Sequence, residues 1–187
     1  VVGGEVRRNR AIGRGGARPG DRIYVTGDLG GAAAGLKVLL EDIPKNSYVE
    51  ALIERQLTPY PRTKLGKILG LNRIPSAMID ISDGLSSDLK HICDESKAGA
   101  IIYEEKIPLD KNLKALNWPG AMELALHGGE DYELLFTVPR RLKKEQRHIL
   151  EKLAVTWIGE ITDEPSVMRI QNDAGIEPLE PRGYTHF

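Results

Sequence analysis

At 187 residues, 41% of them hydrophobic and 28% charged, the chain can build one sizeable core, which excludes an intrinsically disordered class. A net charge of −1 excludes a global field that would draw it to nucleic acid or to an anionic membrane. No apolar run approaches the roughly 20 residues that span a bilayer and no secretory signal is present, while the single cysteine, Cys93, has no internal disulfide partner; a cytoplasmic protein with no nucleic-acid or membrane partner is expected.

The chain opens without an initiator methionine on Val1-Val2-Gly3-Gly4, which reads as a piece of a longer polypeptide. Residues 1–20 read as a linker and residues 21–187 as the folded domain. Arginines 7, 8, 10, 14, 18 and 22 outnumber Glu5 and Asp21 here, and glycines 13, 15 and 16 surround Arg14. Basic residues in glycine-rich context can track phosphates, but no aromatic is interleaved for base stacking. A linker that lends one or two arginines to a phosphate ligand is the better reading.

Arg18-Pro19-Gly20-Asp21 is a turn signal. Residues 22–26 read as a strand ending in Gly27-Asp28-Leu29-Gly30-Gly31, which meets neither nucleotide-binding glycine fingerprint and is read as a tight turn before a buried helix over 32–40. Ser47-x-x-Glu50 reads as a capping box for a helix through Val49, Leu52, Ile53 and Leu57. Thr58-Pro59-Tyr60-Pro61-Arg62 is a stiff connector, since each proline restrains itself and its predecessor. A short helix through Leu65, Ile68 and Leu69 follows.

Residues 76–81 then read as a buried strand, and the apolar spacing Leu85, Leu89, Ile92, Cys93 as one face of a helix. Asp80, Ser82 and Asp83 therefore lie at a strand end and helix start, with Asp83 at the N-cap position and Gly84 easing the turn. Two carboxylates so placed can hold a hard divalent cation such as Mg²⁺. The Ser82 hydroxyl and outward backbone N–H groups can bind a phosphate. The bland alternative is a helix cap beside an ordinary strand-end acid. Cys93 reads as a buried thiol.

A strand over 98–103, a loop over 108–119 with a possible helical turn, and a helix over 120–126 come next. His127-Gly128-Gly129-Glu130-Asp131-Tyr132-Glu133 leads into a strand over 134–138. Three acids beside buried strand residues cost desolvation and mutual repulsion, so a cation or donor-rich ligand is the expected partner, against an exposed acidic turn as the alternative. His127 reads as structural. A helix over 141–153, a strand over 155–161, and a hairpin of two edge strands around Asn172-Asp173-Ala174-Gly175 complete the domain. The tail ends in Tyr184-Thr185-His186-Phe187, whose aromatics could stack on a flat ligand or pack on the core.

Three separated motifs together resemble the bacterial thiamine-monophosphate kinase family: Asp80-Ile81-Ser82-Asp83-Gly84-Leu85, Gly128-Gly129-Glu130-Asp131-Tyr132-Glu133-Leu134-Leu135-Phe136, and Gly183-Tyr184-Thr185-His186-Phe187. Arg14 to Asp21, Tyr24-Val25-Thr26-Gly27 and Pro59-Tyr60-Pro61-Arg62 support the likeness. The resemblance implies an α+β fold, a mixed β-sheet flanked by helices, as in the C-terminal domain of the aminoimidazole ribonucleotide synthetase-like fold. It implies that an N-terminal ATP-binding half precedes Val1 and carries the homodimer interface. It further implies ATP-dependent phosphorylation of thiamine phosphate to thiamine diphosphate with Mg²⁺. By position, Asp80 and Asp83 match metal ligands, Ser82 and Arg14 match nucleotide contacts, and Glu130 and Phe187 match thiamine-phosphate contacts, with no side chain acting as a nucleophile. Gln56 or a neighbour stands where the family often has a histidine, which weakens a role for the connector. The rivals are another ATP-using member of the superfamily and a non-catalytic module that binds a phosphate ligand. A hydrogenase-maturation relative would be expected to end in cysteine, and this chain ends in Phe187.

Overall fold

The computed structural model describes residues 11–41 and 43–183. Along β1 (Arg22–Thr26), Ile23 and Val25 are buried on one face while Tyr24 turns to the other, the period of two expected of a strand covered on both sides. β4 (Leu134–Val138) alternates likewise: Leu135 joins Ile23 and Val25, and Phe136 stacks on Tyr24 at 5.6 Å between ring centroids. These strands sit near the middle of a seven-stranded mixed sheet, α+β in class.

The other strands are β2 (Ala77–Asp80), β3 (Gly99–Tyr103), β5 (Val155–Thr162), β6 (Met168–Asn172) and β7 (Gly175–Pro178), in the order β2-β4-β1-β5-β3-β6-β7. All neighbours are antiparallel except β3 and β6. One face is covered by α4 (Leu85–Ser96), whose Leu85, Leu89, Ile92 and Cys93 all enter the main core. α6 (Ala121–His127) adds Ala125 and Leu126 there. The opposite face is covered by α3 (Thr63–Leu71), through Leu69, and α7 (Lys144–Glu151), through Leu150. α1 (Gly31–Glu41), α2 (Ser47–Leu57) and α5 (Lys111–Ala115) form a third apolar cluster around Ala34, Leu52 and Leu113.

Several local expectations are corrected. Asn46, not Ser47, caps α2: its side-chain oxygen accepts from the N–H groups of Tyr48 and Val49, the bonds that a capping serine would have supplied. The cap position of α4 belongs to Gly84, at φ 115°, and not to Asp83. β2 is an edge strand with Asp80 exposed, rather than a buried one, because only β4 pairs with it along its length. Of the two strands expected at an edge, β7 is outermost, while β6 is enclosed between it and β3. α7 is shorter than the apolar spacing suggested, while the helical turn expected within the loop over 108–119 is present as the one-turn α5, capped by Asp110.

Candidate functional site

The strand pairing that ends at Asp80 and Leu134 continues into two loops. Ile81 N–H donates to the carbonyl of Glu133, Tyr132 N–H to that of Ile81, and Glu130 N–H to that of Ser82. Residues 130–133 thus run beside 81–82 with strand-like alternation: Glu130 and Tyr132 exposed, Asp131 and Glu133 buried. Gly129 is required here, since a Cβ would stand 2.6 Å from the Ser82 carbonyl. The two outward residues hold left-handed backbones, φ 67° at Glu130 and 50° at Tyr132, a strain that persists only where the surroundings impose it.

The surroundings do so through the inward acids. Glu133, 1% exposed, receives two bonds from Arg62, one from Arg55 and one from the Thr26 hydroxyl. A side chain on Gly27 would collide with that carboxylate, so the turn after β1 is glycine. Asp131 accepts from the N–H groups of Gly30 (2.7 Å) and Ala32 (3.2 Å), at the start of α1. Burial pushes its carboxyl up to about 6 against the pull of those two donors. The partners of Asp131 and Glu133 are therefore the protein's own donors and not a cation or ligand. The glycine-rich turn at 27–31 likewise spends the Gly30 N–H on Asp131.

Glu130 lines a cleft of about 540 Å³ together with Ala33, Leu36, Gln56, Ser82, Asp83, Gly129 and Tyr132. An adjoining apolar cleft of about 380 Å³ is lined by Pro59, Pro61, Arg62, Asp80, Tyr132 and Leu134, and shares Tyr132 with the first. The structure thus brings Ser82, Asp83 and Glu130 into one cleft and puts Asp80 in its neighbour. Arg14 stands elsewhere: it faces Glu95 at 3.7 Å, at the far end of the 12-residue α4 from Ser82 and Asp83. Phe187 lies outside the described residues, but the chain before it arrives at this loop. Gly183 N–H donates to the Ser87 hydroxyl, and a Cβ on Gly183 would meet the Asp83 carbonyl at 2.1 Å.

Asp88 is the residue that sequence reasoning missed. Its buried Oδ2 accepts from the N–H groups of Ser82, Asp83 and Gly84, at 3.1, 3.1 and 3.2 Å. The donors expected to meet a phosphate are already occupied by a carboxylate from the first turn of the same helix. An acid at that turn is a recognisable signal, yet the backbone at Gly84 decides whether it folds back. Burial, with the Asp83 and Asp80 carboxylates adding to it, pushes the Asp88 carboxyl up to about 6 while the N–H groups oppose. Asp83, Asp88 and His91 each offer a ligand atom, all within 4.8 Å of one another. The two carboxylates are oxygen donors of the kind Mg²⁺ takes, whereas the His91 nitrogen is not.

Gln56 and the connector prove to be part of the arrangement rather than bystanders. The Gln56 amide donates to Glu130, and Arg62 grips Glu133. His127 is structural, as expected: its Nδ1 shares a hydrogen bond with the Ser86 hydroxyl at 2.8 Å, and burial lowers its pKa.

Among known families, AIR synthase related protein, C-terminal domain, matches residues 18–170. Thiamine-monophosphate kinase of Salmonella typhimurium is 39% identical over the whole of this chain and 58% of its own length. A solved structure of AaThiL complexed with AMPPCP and TMP superposes with a TM-score of 0.80 at 36% identity, over 94% of this chain and 54% of that one. The hydrogenase maturation protein HypE of E. coli shares the fold alone, with a TM-score of 0.74 at 20% identity over 95% of this chain and 54% of that one. The chain spans a little over half the length of the curated relatives it matches.

Proposed function

The chain belongs to the AIR synthase related protein family, of which it carries the C-terminal domain, and on that premise we propose that it is the C-terminal part of an ATP-dependent kinase converting thiamine phosphate to thiamine diphosphate. The observation that carries this reading is the shared cleft, in which Ser82 and Asp83 on one loop face Glu130 on the other across a backbone hydrogen bond. Kinases of this name among the relatives, and a relative's complex with AMPPCP and TMP, support the substrate pair.

In this reading the bond between the γ-phosphorus and the ATP bridging oxygen breaks as an oxygen of the substrate's phosphate bonds to that phosphorus. The acceptor is already anionic near neutral pH and needs no general base, so positioning and charge neutralisation are the protein's task. Asp80 and Asp83 hold Mg²⁺, which supplies charge neutralisation on the phosphate oxygens when bound. Ser82 contacts the nucleotide, whereas Arg14, at the far end of α4 beside Glu95, is not placed at this cleft. Glu130 accepts hydrogen bonds from the aminopyrimidine, and Phe187 stacks on the ring. The N-terminal half supplies further nucleotide ligands and the homodimer contact, and the enzyme works in the cytoplasm.

The test is Glu130→Ala in the polypeptide extended to the relatives' length. Thiamine-phosphate binding is expected to weaken by about tenfold or more, with ATP binding unchanged. Equal loss of both would contradict the assignment.

A further inference from the structure

Four consecutive backbone N–H groups run from the end of β2 into α4, and the protein satisfies each of them itself. Ile81 N–H donates to the Glu133 carbonyl, while those of Ser82, Asp83 and Gly84 converge on the single oxygen Oδ2 of Asp88. The carbonyls are used as well: that of Ile81 accepts from Tyr132, that of Ser82 from Glu130 and that of Gly84 from the Asp88 N–H. N–H groups gathered before a helix ordinarily make an anion site. Here the anion is built into the chain.

Backbone and side chain are both constrained around it. Asp88 is 1% exposed, and its neighbours Leu85 and Leu89 fix α4 in the main core. Gly84 holds φ 115°, and a Cβ there would stand 2.8 Å from the His127 carbonyl oxygen. The loop so held carries Ser82 and Asp83 and follows directly on Asp80. Carboxylate oxygens of Asp83 and Asp88 lie within 4.8 Å of one another, a range at which like charges repel and a cation between or beside them is favoured.

We infer that Asp88 is a positioning residue that converts this junction from an anion site into a cation site. It occupies the N–H groups that would otherwise take a phosphate directly, and it sets a negative charge behind Asp83. Phosphate oxygens therefore meet this stretch of backbone only through a divalent cation. This rests on the metal role proposed above for Asp80 and Asp83 and deepens it; Asp88 acts through the loop and through its charge, not as a ligand.

The experiment titrates the polypeptide extended to the relatives' length by calorimetry, with Mg²⁺ alone and, in the presence of chelator, with inorganic phosphate alone. Asp88→Ala frees the N–H groups and removes the charge: Mg²⁺ is expected to bind about tenfold more weakly and phosphate about threefold more tightly. Asp88→Asn keeps one oxygen, as many as the N–H groups now use, and removes only the charge. Mg²⁺ then binds about threefold more weakly, and phosphate binds as in the unsubstituted protein. Leu89→Ala, a core truncation on the same helix, reads the loss of packing alone and leaves both titrations unchanged. If Asp88→Ala does not fold, Asp88→Asn decides. Unchanged Mg²⁺ binding in folded Asp88→Asn overturns this inference, as do equal shifts in Asp88→Ala and Leu89→Ala, and either result leaves the kinase standing where the unsubstituted protein phosphorylates thiamine phosphate. An unsubstituted protein that takes up no Mg²⁺ overturns the metal role and this inference with it. The expected titrations without thiamine-phosphate turnover uphold the role of Asp88 and overturn the kinase.

Discussion

Arg62 grips Glu133 in a two-pronged bond, Nε to Oε2 and Nη2 to Oε1, each 2.6 Å long. The guanidinium comes from the stiff proline connector and the carboxylate from the loop before β4, and the pair fastens the wall of one cleft to the backbone of the next. Arg55 adds a third bond at 2.9 Å, so the buried charge is compensated on two sides.

Removing the carboxylate leaves two guanidinium groups and the Thr26 hydroxyl without their acceptor. Glu133→Ala is expected to destabilise the domain by about 3 kcal/mol, the size of loss seen when one partner of a buried pair is deleted. Arg62→Ala costs less, because Arg55 and Thr26 still hold the carboxylate. Urea denaturation of the three proteins checks the order, and equal losses for both variants would contradict it.

Asp131 gives the domain a pH dependence of definite sign. Its carboxyl is raised from 3.8 to about 6 by burial, so between those values the folded state holds a proton that the unfolded chain has released. Its contribution is therefore fully present below pH about 4 and is lost as pH rises through about 6. Asp131→Asn, which keeps an oxygen for only one of Gly30 and Ala32 but cannot titrate, flattens this fall in stability between pH 4 and 6. A denaturation series across that range reads it directly, and an unchanged slope would contradict the assignment.

Cys93 is fully buried under α4, and burial pushes its thiol up to about 12. At pH 8 the thiolate is scarce and inaccessible, so a thiol reagent labels it only at the rate of global opening. Labelling in native buffer as fast as in denaturant would contradict the packing.

Most of the fold was legible because burial imposes periods on the chain. Ile23, Val25 and Leu135 on one face of the sheet, and Leu85, Leu89, Ile92 and Cys93 on α4, follow patterns that no competing interaction disturbs. The errors arose where two neighbouring polar residues could do the same job. Asn46 and Ser47 can each cap α2, and Asp83 and Asp88 can each meet the N–H groups before α4; the backbone at Gly84 chose the second. The partners of Glu133 were not legible at all, for Arg62 lies 71 residues away and Thr26 107. The alternation of residues 130–133 was a usable signal, since a period of two separates Glu130 and Tyr132 from the acids that turn inward.

The account rests on the acids at the end of β2 holding cations for phosphoryl transfer, and Asp80→Asn tests it most directly. Asp80 is exposed, so the substitution is expected to change stability by less than about 0.5 kcal/mol. In the polypeptide extended to the relatives' length, thiamine-phosphate turnover with Mg²⁺ and ATP is expected to fall by about 100-fold or more. Full turnover in a folded Asp80→Asn protein would contradict it.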